Sequence, residues 1–462
     1  MIKFKQDKIK LFNWREFSPM NFIRLISLIV GITFITCVLI LVFLPDPFIN
    51  LFLKKQIINS FTEAYPEHKL KIGDIHYNFW ENRLSCDSLI LLNTDSSNKF
   101  SAASFSIGGI GWLRLFFQGN MNTITLNGAV IDAQNVIFNF HKTQYLLSAN
   151  KVHLSMPDSE MIVDSIKYVI STNDEKFFAK SKYRQTRFRF DISKIKIVGL
   201  DFIGLIKGNI YKARSINIQD IFADILVNKD KPYDNTSSNP FMPNEFFLSI
   251  KDTIKLDSLN IKNGLLKYRE RFSINTAPAL ITFNKIKILV TKIANHKTPP
   301  DTTRVYGEGY FMNSSKMKLF MEIPLTSKDF SIKYSGTFGG MDLINLNAFI
   351  EPSEHQRIKS GSLQSASYNI NVNSGTANGS LNLAYKDLNV AILNEKTNSE
   401  NGILDRVSSF IGKTFIIRKS NIPDEKGLIK IGKINYKRNP QDYFMQYIWF
   451  ALRSGVGDVV GF

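Results

Sequence analysis

Few stretches of this chain carry residue types that do chemistry. Gly412-Lys413-Thr414 ends as a phosphate-binding loop ends, but such a loop needs a glycine at 407, where Val407 stands. GLIKIGK (427–433) has the two-glycine spacing. Ile434 then takes the place of the Ser or Thr that would hold magnesium, and the Ile/Lys alternation is that of a strand. The histidines at 68, 76, 141, 153, 296 and 355 show no metal-ligand spacing. Neither a G-x-S-x-G elbow nor H-E-x-x-H occurs. The sequence therefore predicts a non-enzyme, with no catalytic residue, no metal and no cofactor.

One basic stretch is interleaved with aromatics: KSKYRQTRFRF (180–190). Such a stretch can meet the phosphates of lipid head groups or of nucleic acid, with aromatics stacking on bases in the second case. It is equally a solvated strand edge whose charges discourage edge pairing. Formal charge does not choose: 58 Lys+Arg against 40 Asp+Glu make the chain basic, which suits any anionic partner. The two cysteines, Cys37 and Cys86, are far apart, and Cys37 lies in an apolar run, so no disulfide is expected.

The elements that would position a function begin at the N-terminus. Residues 25–44, LISLIVGITFITCVLILVFL, form an uncharged run of the length that crosses a bilayer. Residues 1–24 make a tail with Lys3, Lys5, Lys8, Lys10, Arg15 and Arg24 against Asp7 and Glu16. The positive-inside rule then predicts an inner-membrane anchor, with a cytoplasmic N-terminus and the bulk of the chain across the membrane. That placement argues against a nucleic-acid partner. Residues 48–64, FINLFLKKQIINSFTEA, gather Ile49, Leu53, Ile57, Phe61 and Ala64 on one face of a juxtamembrane helix. Such a helix either lies on the membrane or caps the first strands.

Beyond Pro66 alternation replaces helical periodicity. Four windows superpose: ITLNGAVIDA from Ile124, IKIVGLDFIG from Ile195, INIQDIFADI from Ile216 and LNIKNGLLKY from Leu259. Each has apolar residues at positions one and three, then Gly, Asp or Asn at position five, where a tight turn or a bulge is expected. Residues 281–290 and 381–390 alternate likewise. Lys196, Asn217, Lys262 and Lys267 fall between apolar positions, so one sheet face is apolar and the other polar and basic. The loops 229–245 and 296–303 interrupt the strands without separating domains. A long run of half-apolar strands makes a sandwich, a barrel or a curled trough, and alternation alone does not separate them.

The order of these parts, with LKIGDIHYNFWENRLSCDSLIL (70–91), YSGTFGGMDLINLNAFIEP (334–352) and IKSGSLQSASYNINVNSGTANGSLNLAYKDLNVAIL (358–393), resembles AsmA-like envelope proteins, relatives of TamB. The resemblance implies a mainly β chain: a transmembrane helix, then an elongated, curled groove over 67–333, then a C-terminal module over 334–462 with a few short helices near both ends. It implies a periplasmic protein that handles or transfers phospholipid or another envelope lipid between inner and outer membranes, or maintains envelope integrity. An outer-membrane or periplasmic protein partner fits the same reading. At about 4.8 Å between strands, one sheet of this chain reaches on the order of 140 Å, short for unaided spanning. The alternative is an envelope scaffold with a filled β core. Expected groove residues are Leu126, Ile197, Phe202, Ile218, Ile261 and Leu266.

The last residues, YFMQYIWFALRSGVGDVVGF (443–462), predict a terminal aromatic helix over 441–453 that Gly455 and Gly457 bring to an end. Tyr443, Phe444, Tyr447 and Ile448 lie on its apolar half, with Trp449 among the polar residues. This helix either plugs an open sheet end or touches a membrane or partner.

Overall fold

The computed structural model describes residues 27–38, 45–95, 97–111, 127–234, 236, 238–274, 276–296, 302–394 and 417–461. The basic tail 1–24 and Leu126 lie outside them. Residues 27–38 are helical, a length of about 18 Å at 1.5 Å per residue, against an apolar bilayer thickness of about 30 Å. Among the described residues no helix is long and apolar enough to cross a membrane. This overturns the single-span anchor expected over 25–44, and with it the inner-membrane placement. The apolar run meets a compositional criterion, and the helix described within it covers 27–38.

The next residues are helical in three pieces: α1 (Pro45–Phe48), a π turn (Ile49–Leu53) and α2 (Lys54–Ala64). Strands then come almost without pause: β1 (His68–Ile72), β2 (Ile75–Asn78), β3 (Arg83–Cys86), β4 (Leu89–Asn93), β5 (Asn98–Ala102), β6 (Ser104–Gly108), β7 (Val130–Phe140), β8 (Tyr145–Ser155) and β9 (Glu160–Ile170). Helix α3 (Asp174–Ala179) leads to β10 (Gln185–Val198), α4 (Phe202–Lys207) to β11 (Ile210–Asn228) and α5 (Pro243–Ser249) to β12 (Thr253–Arg271). Then come β13 (Ala279–Ala294), β14 (Thr303–Phe311), β15 (Ser315–Ile323), β16 (Ile332–Phe338), β17 (Met341–Asp342), α6 (Asn347–Glu354), β18 (Gln356–Asn373), β19 (Thr376–Ile392), β20 (Ile431–Lys437) and α7 (Phe444–Val460).

Among the described residues all twenty strands belong to one sheet. From β7 to β16 neighbours in sequence are neighbours in the sheet, which continues through β18 and β19 to β20. Beyond β7 it forks, because β5 and β6 pair with different halves of that strand. One branch runs through β6 and β3 to β2, the other through β5 and β4 to β1.

The pairings are antiparallel except β11–β12, which is parallel. A parallel pair cannot close through a hairpin, so the chain must return to the starting end. Residues 229–252 make that return and carry α5. Their Met242 is fully buried in the C-terminal core. Arg438, just past β20, holds the return by a 2.6 Å bond to Glu245 and a 3.0 Å bond to the Pro240 carbonyl. On the other wall α6 packs against both β13 and β18. The sheet therefore curls, with the return segment and α6 linking strands distant in its order.

The expected turns at position five behave differently from window to window. Gly199 (φ 69°) does end β10, and a Cβ there would meet Arg214 Cβ at 2.7 Å. Helix α4 starts just beyond it, because the Asp201 carboxylate accepts the Gly204 N–H and nucleates a turn. Asp220 (φ 47°) and Asn263 (φ 58°) are left-handed residues inside long unbroken strands, and the Asn263 amide donates to Asp220 at 2.6 Å. Asn135, Ser165 and Lys285 are left-handed too. Together these residues place an irregularity in β7, β9, β11, β12 and β13, where a bulge kinks the strand and adds twist.

Candidate functional site: one apolar sheet face

Alternation puts the apolar residues of β7–β11 on one face, and the bulges keep them there. Ile218 and Ile221 are an odd number of residues apart, as are Ile192 and Ile195, and Val163 and Ile166. A regular strand would send the members of each pair to opposite faces. Instead all six share one cluster with Val136, Ala149 and Val152. This cluster consists of strand residues alone.

Among the expected groove residues, Ile197 is in register with Ile216, Ile195 with Ile218, and Ile218 with Ile261. Ile197, Ile218 and Ile261 therefore share the cluster's face. Leu266 stands opposite Ala223, two residues past Ile221, and joins them beyond the bulge. All four are half-buried. Phe202 is placed elsewhere: it is buried in the first turn of α4 rather than on a strand. Ala149, Ile166 and Ile192, the most buried members of the patch, were missed by sequence reasoning. The alternation of YLLSANKVHLS and EMIVDSIKYVI was the available signal.

The same face continues under β13–β20, as the registers Ile261↔Ile288, Val290↔Val305, Val305↔Met321, Met321↔Tyr334 and Tyr334↔Ile370 show. There it is covered. Tyr334, Ile370, Leu381 and Ile434 pack beneath Tyr447 and Ala451 of α7, with Phe444, Ile448, Leu452 and Val456 alongside. Tyr447 is fully buried and donates its hydroxyl to the Gly375 carbonyl at 3.1 Å. Burial pushes the Tyr368 phenol up to about 12 and raises that of Tyr334, so neither can act as a base near neutrality.

Of the five expected end-cap residues, Tyr447 is the plug's centre, and Phe444 and Ile448 pack beside it. Tyr443 and Trp449 are exposed. The helix does not stop at Gly455 or Gly457; it runs to Val460. Its glycines serve close approach instead. A Cβ on Gly455 would fall 2.6 Å from Ile434 Cγ1, and one on Gly432 would fall 2.4 Å from the Gly455 carbonyl oxygen.

Helical segments also shield two of the three outermost strands, β20 and β2. At β20 the N–H groups of Lys433 and Asn435 donate to Asp458 at 2.8 Å and to Ser454 at 3.2 Å of α7. At β2, Asn50 mimics a strand: it accepts the Ile75 N–H and donates to the Ile75 carbonyl, each at 2.8 Å. Asp46 accepts the Tyr77 N–H at 3.0 Å. Sheet edges left bare are templates for aggregation.

The β2 contact carries a titratable group. His76 Nδ1 lies 2.8 Å from Asp46, and Nε2 lies 3.4 Å from Asp87. The hydrogen bond to Asp46 raises the imidazole above its ordinary 6.5, against an opposing desolvation effect. The folded value is thus higher than the unfolded one. The resulting stabilisation is complete below pH 6.5 and is lost as pH rises through the raised value. The pair is partly exposed, so the contribution is small. Resonance titration of His76 should give a pKa above 6.5 that falls on Asp46→Asn. An unchanged value in that variant would contradict the assignment.

Among the described residues no group of His, Cys, Asp and Glu could hold a metal ion. Burial raises the Cys86 thiol, the opposite of nucleophilic activation. What the geometry offers is apolar surface: covered by α7 under β13–β20, capped by Phe177 and Phe178 of α3 at the Tyr145–Tyr168 end of β7–β11, and free of helix over the cluster of Ala149, Ile166 and Ile192. Neither family models nor curated proteins give a match to this chain.

Proposed function

We propose that this chain is a non-enzymatic lipid-handling protein of AsmA-like kind, whose apolar sheet face shields acyl chains from water while head groups stay at the rim. One contrast carries the reading. The apolar face is plugged by α7 at one end and capped by α3 at the Tyr145–Tyr168 end of β7–β11, yet between them the cluster of Ala149, Ile166 and Ile192 is built of strand residues alone. Apolar area removed from water contributes about 25 cal/mol per Å², so acyl chains laid along half-buried isoleucines would be held without any single essential contact. The basic composition suits anionic head groups.

The filled half of the face favours a second reading, a scaffold with a packed core, because α7 and Met242 occupy the site that a lipid would need there. Native mass spectrometry of the purified chain, stripped of detergent, separates the two. Co-purified phospholipid, released on denaturation, is the expected result. A protein that is repeatedly lipid-free, and takes up none from vesicles, rejects lipid handling.

A further inference from the structure

The opposite face of β8–β11 has a different composition and a shape of its own. Each of these four strands contributes two residues to an open cavity of about 570 Å³: Ser148 and Asn150, Ser165 and Lys167, Asp191 and Ser193, Asp220 and Phe222. The volume lies within the small-molecule range of about 300–1,000 Å³. Ser148, Lys167, Asp191 and Phe222 form one row across the sheet, each in register with the next. Their chain neighbours Ala149, Ile166, Ile192 and Ile221 belong to the apolar cluster, so alternation turns this row to the other side. The remaining four lie along the irregular line, where Ser165 and Asp220 are left-handed. The kink that folds the apolar face inward therefore opens a polar depression behind it.

Most polar groups in the depression are unspent. Asp220 accepts from Ser193 at 3.1 Å and from Asn263 at 2.6 Å. Lys167 and Asp191 stand side by side in register, yet among the described residues neither side chain has a hydrogen bond or an ion pair. The same holds for the side chains of Ser148, Asn150 and Ser165. The wall thus offers hydroxyl, amide, ammonium and carboxylate groups, donors and acceptors interspersed, beside one aromatic ring. Asp191 and Asp220 are balanced by Lys167 and by Lys267, whose ammonium lies 5.7 Å from the Phe222 ring centroid, so the wall has no net charge to select an ion, and its ammonium groups do not suit a metal. A neutral polyol fits, because each sugar hydroxyl both donates and accepts and its C–H faces can meet Phe222.

We infer that this outer depression binds a neutral saccharide of about two to three units, independently of the apolar face. Saturation-transfer NMR and calorimetry of the full chain against maltotriose, cellotriose and chitotriose test it. The expected result is binding of at least one, with Kd on the order of 1 mM or tighter. The double variant Lys167→Ala/Asp191→Ala should weaken it tenfold or more, with circular dichroism and bound lipid unchanged. No binding by any of the three overturns the inference. So does equal binding by the variant, or displacement of the sugar by inorganic phosphate or an alkylamine.

Discussion

A chain ending at Asp442 should fail to fold its C-terminal half and should aggregate. Truncation there removes all of α7. Tyr447, Ala451 and Val459, each fully buried, go with it, as does nearly buried Val460. Loss of a large buried side chain costs about 3–5 kcal/mol, and a whole domain has only about 5–15 kcal/mol to lose. Tyr334, Ile370, Leu381 and Ile434 would be left facing water. The N–H groups of Lys433 and Asn435 would lose their acceptors on α7, leaving β20 open to edge pairing with another copy. Scattering and a thermal melt, with full-length protein beside it, read the result. A truncated chain that stays monomeric and melts like the intact one would show that α7 is not a plug. Tyr447→Ala alone should lower the melting temperature in the same direction.

The double variant Ile197→Asp/Ile261→Asp should fold while losing most of its bound lipid. Both positions lie on the apolar face and are half-buried, so water can reach a carboxylate placed there. Removing two isoleucine contacts from an acyl chain forfeits about 1.5–3 kcal/mol each at full burial. Even a partial loss is tenfold or more in affinity, at about 1.4 kcal/mol per decade. In a filled core the same change would bury two unpaired charges at several kcal/mol apiece. Lipid mass per protein and the melting transition therefore answer different questions. Lost lipid with near-normal melting supports the open face; a collapsed transition supports the packed scaffold; retained lipid with normal melting places the lipid elsewhere.

The sequence by itself determined the strands and much of their polarity. Side chains alternate with period two, a local property, so Ile197, Ile218 and Ile261 could be assigned to an apolar face before any pairing was known; Leu266, five residues past Ile261, shares that face only because Asn263 bulges the strand between them. The aromatic spacing of 443–452 likewise announced a helix with a buried half. What the sequence left open depended on partners far along the chain. Whether Asp220 and Asn263 turn the chain or bulge it is decided by the neighbouring strand that each must match. Phe202 looked like a strand residue because its helix depends on one cap, the Asp201 side chain. Gly455 and Gly457 read as helix stops because a glycine ends helices in isolation; here β20 lies so close that only glycine fits at 432 and 455. The apolar run at 25–44 met a hydropathy criterion without forming, among the described residues, a helix of spanning length. Local periodicity assigns faces. Only tertiary contact decides which face is covered, and by what, because burial is a property of two surfaces and a sequence window contains one.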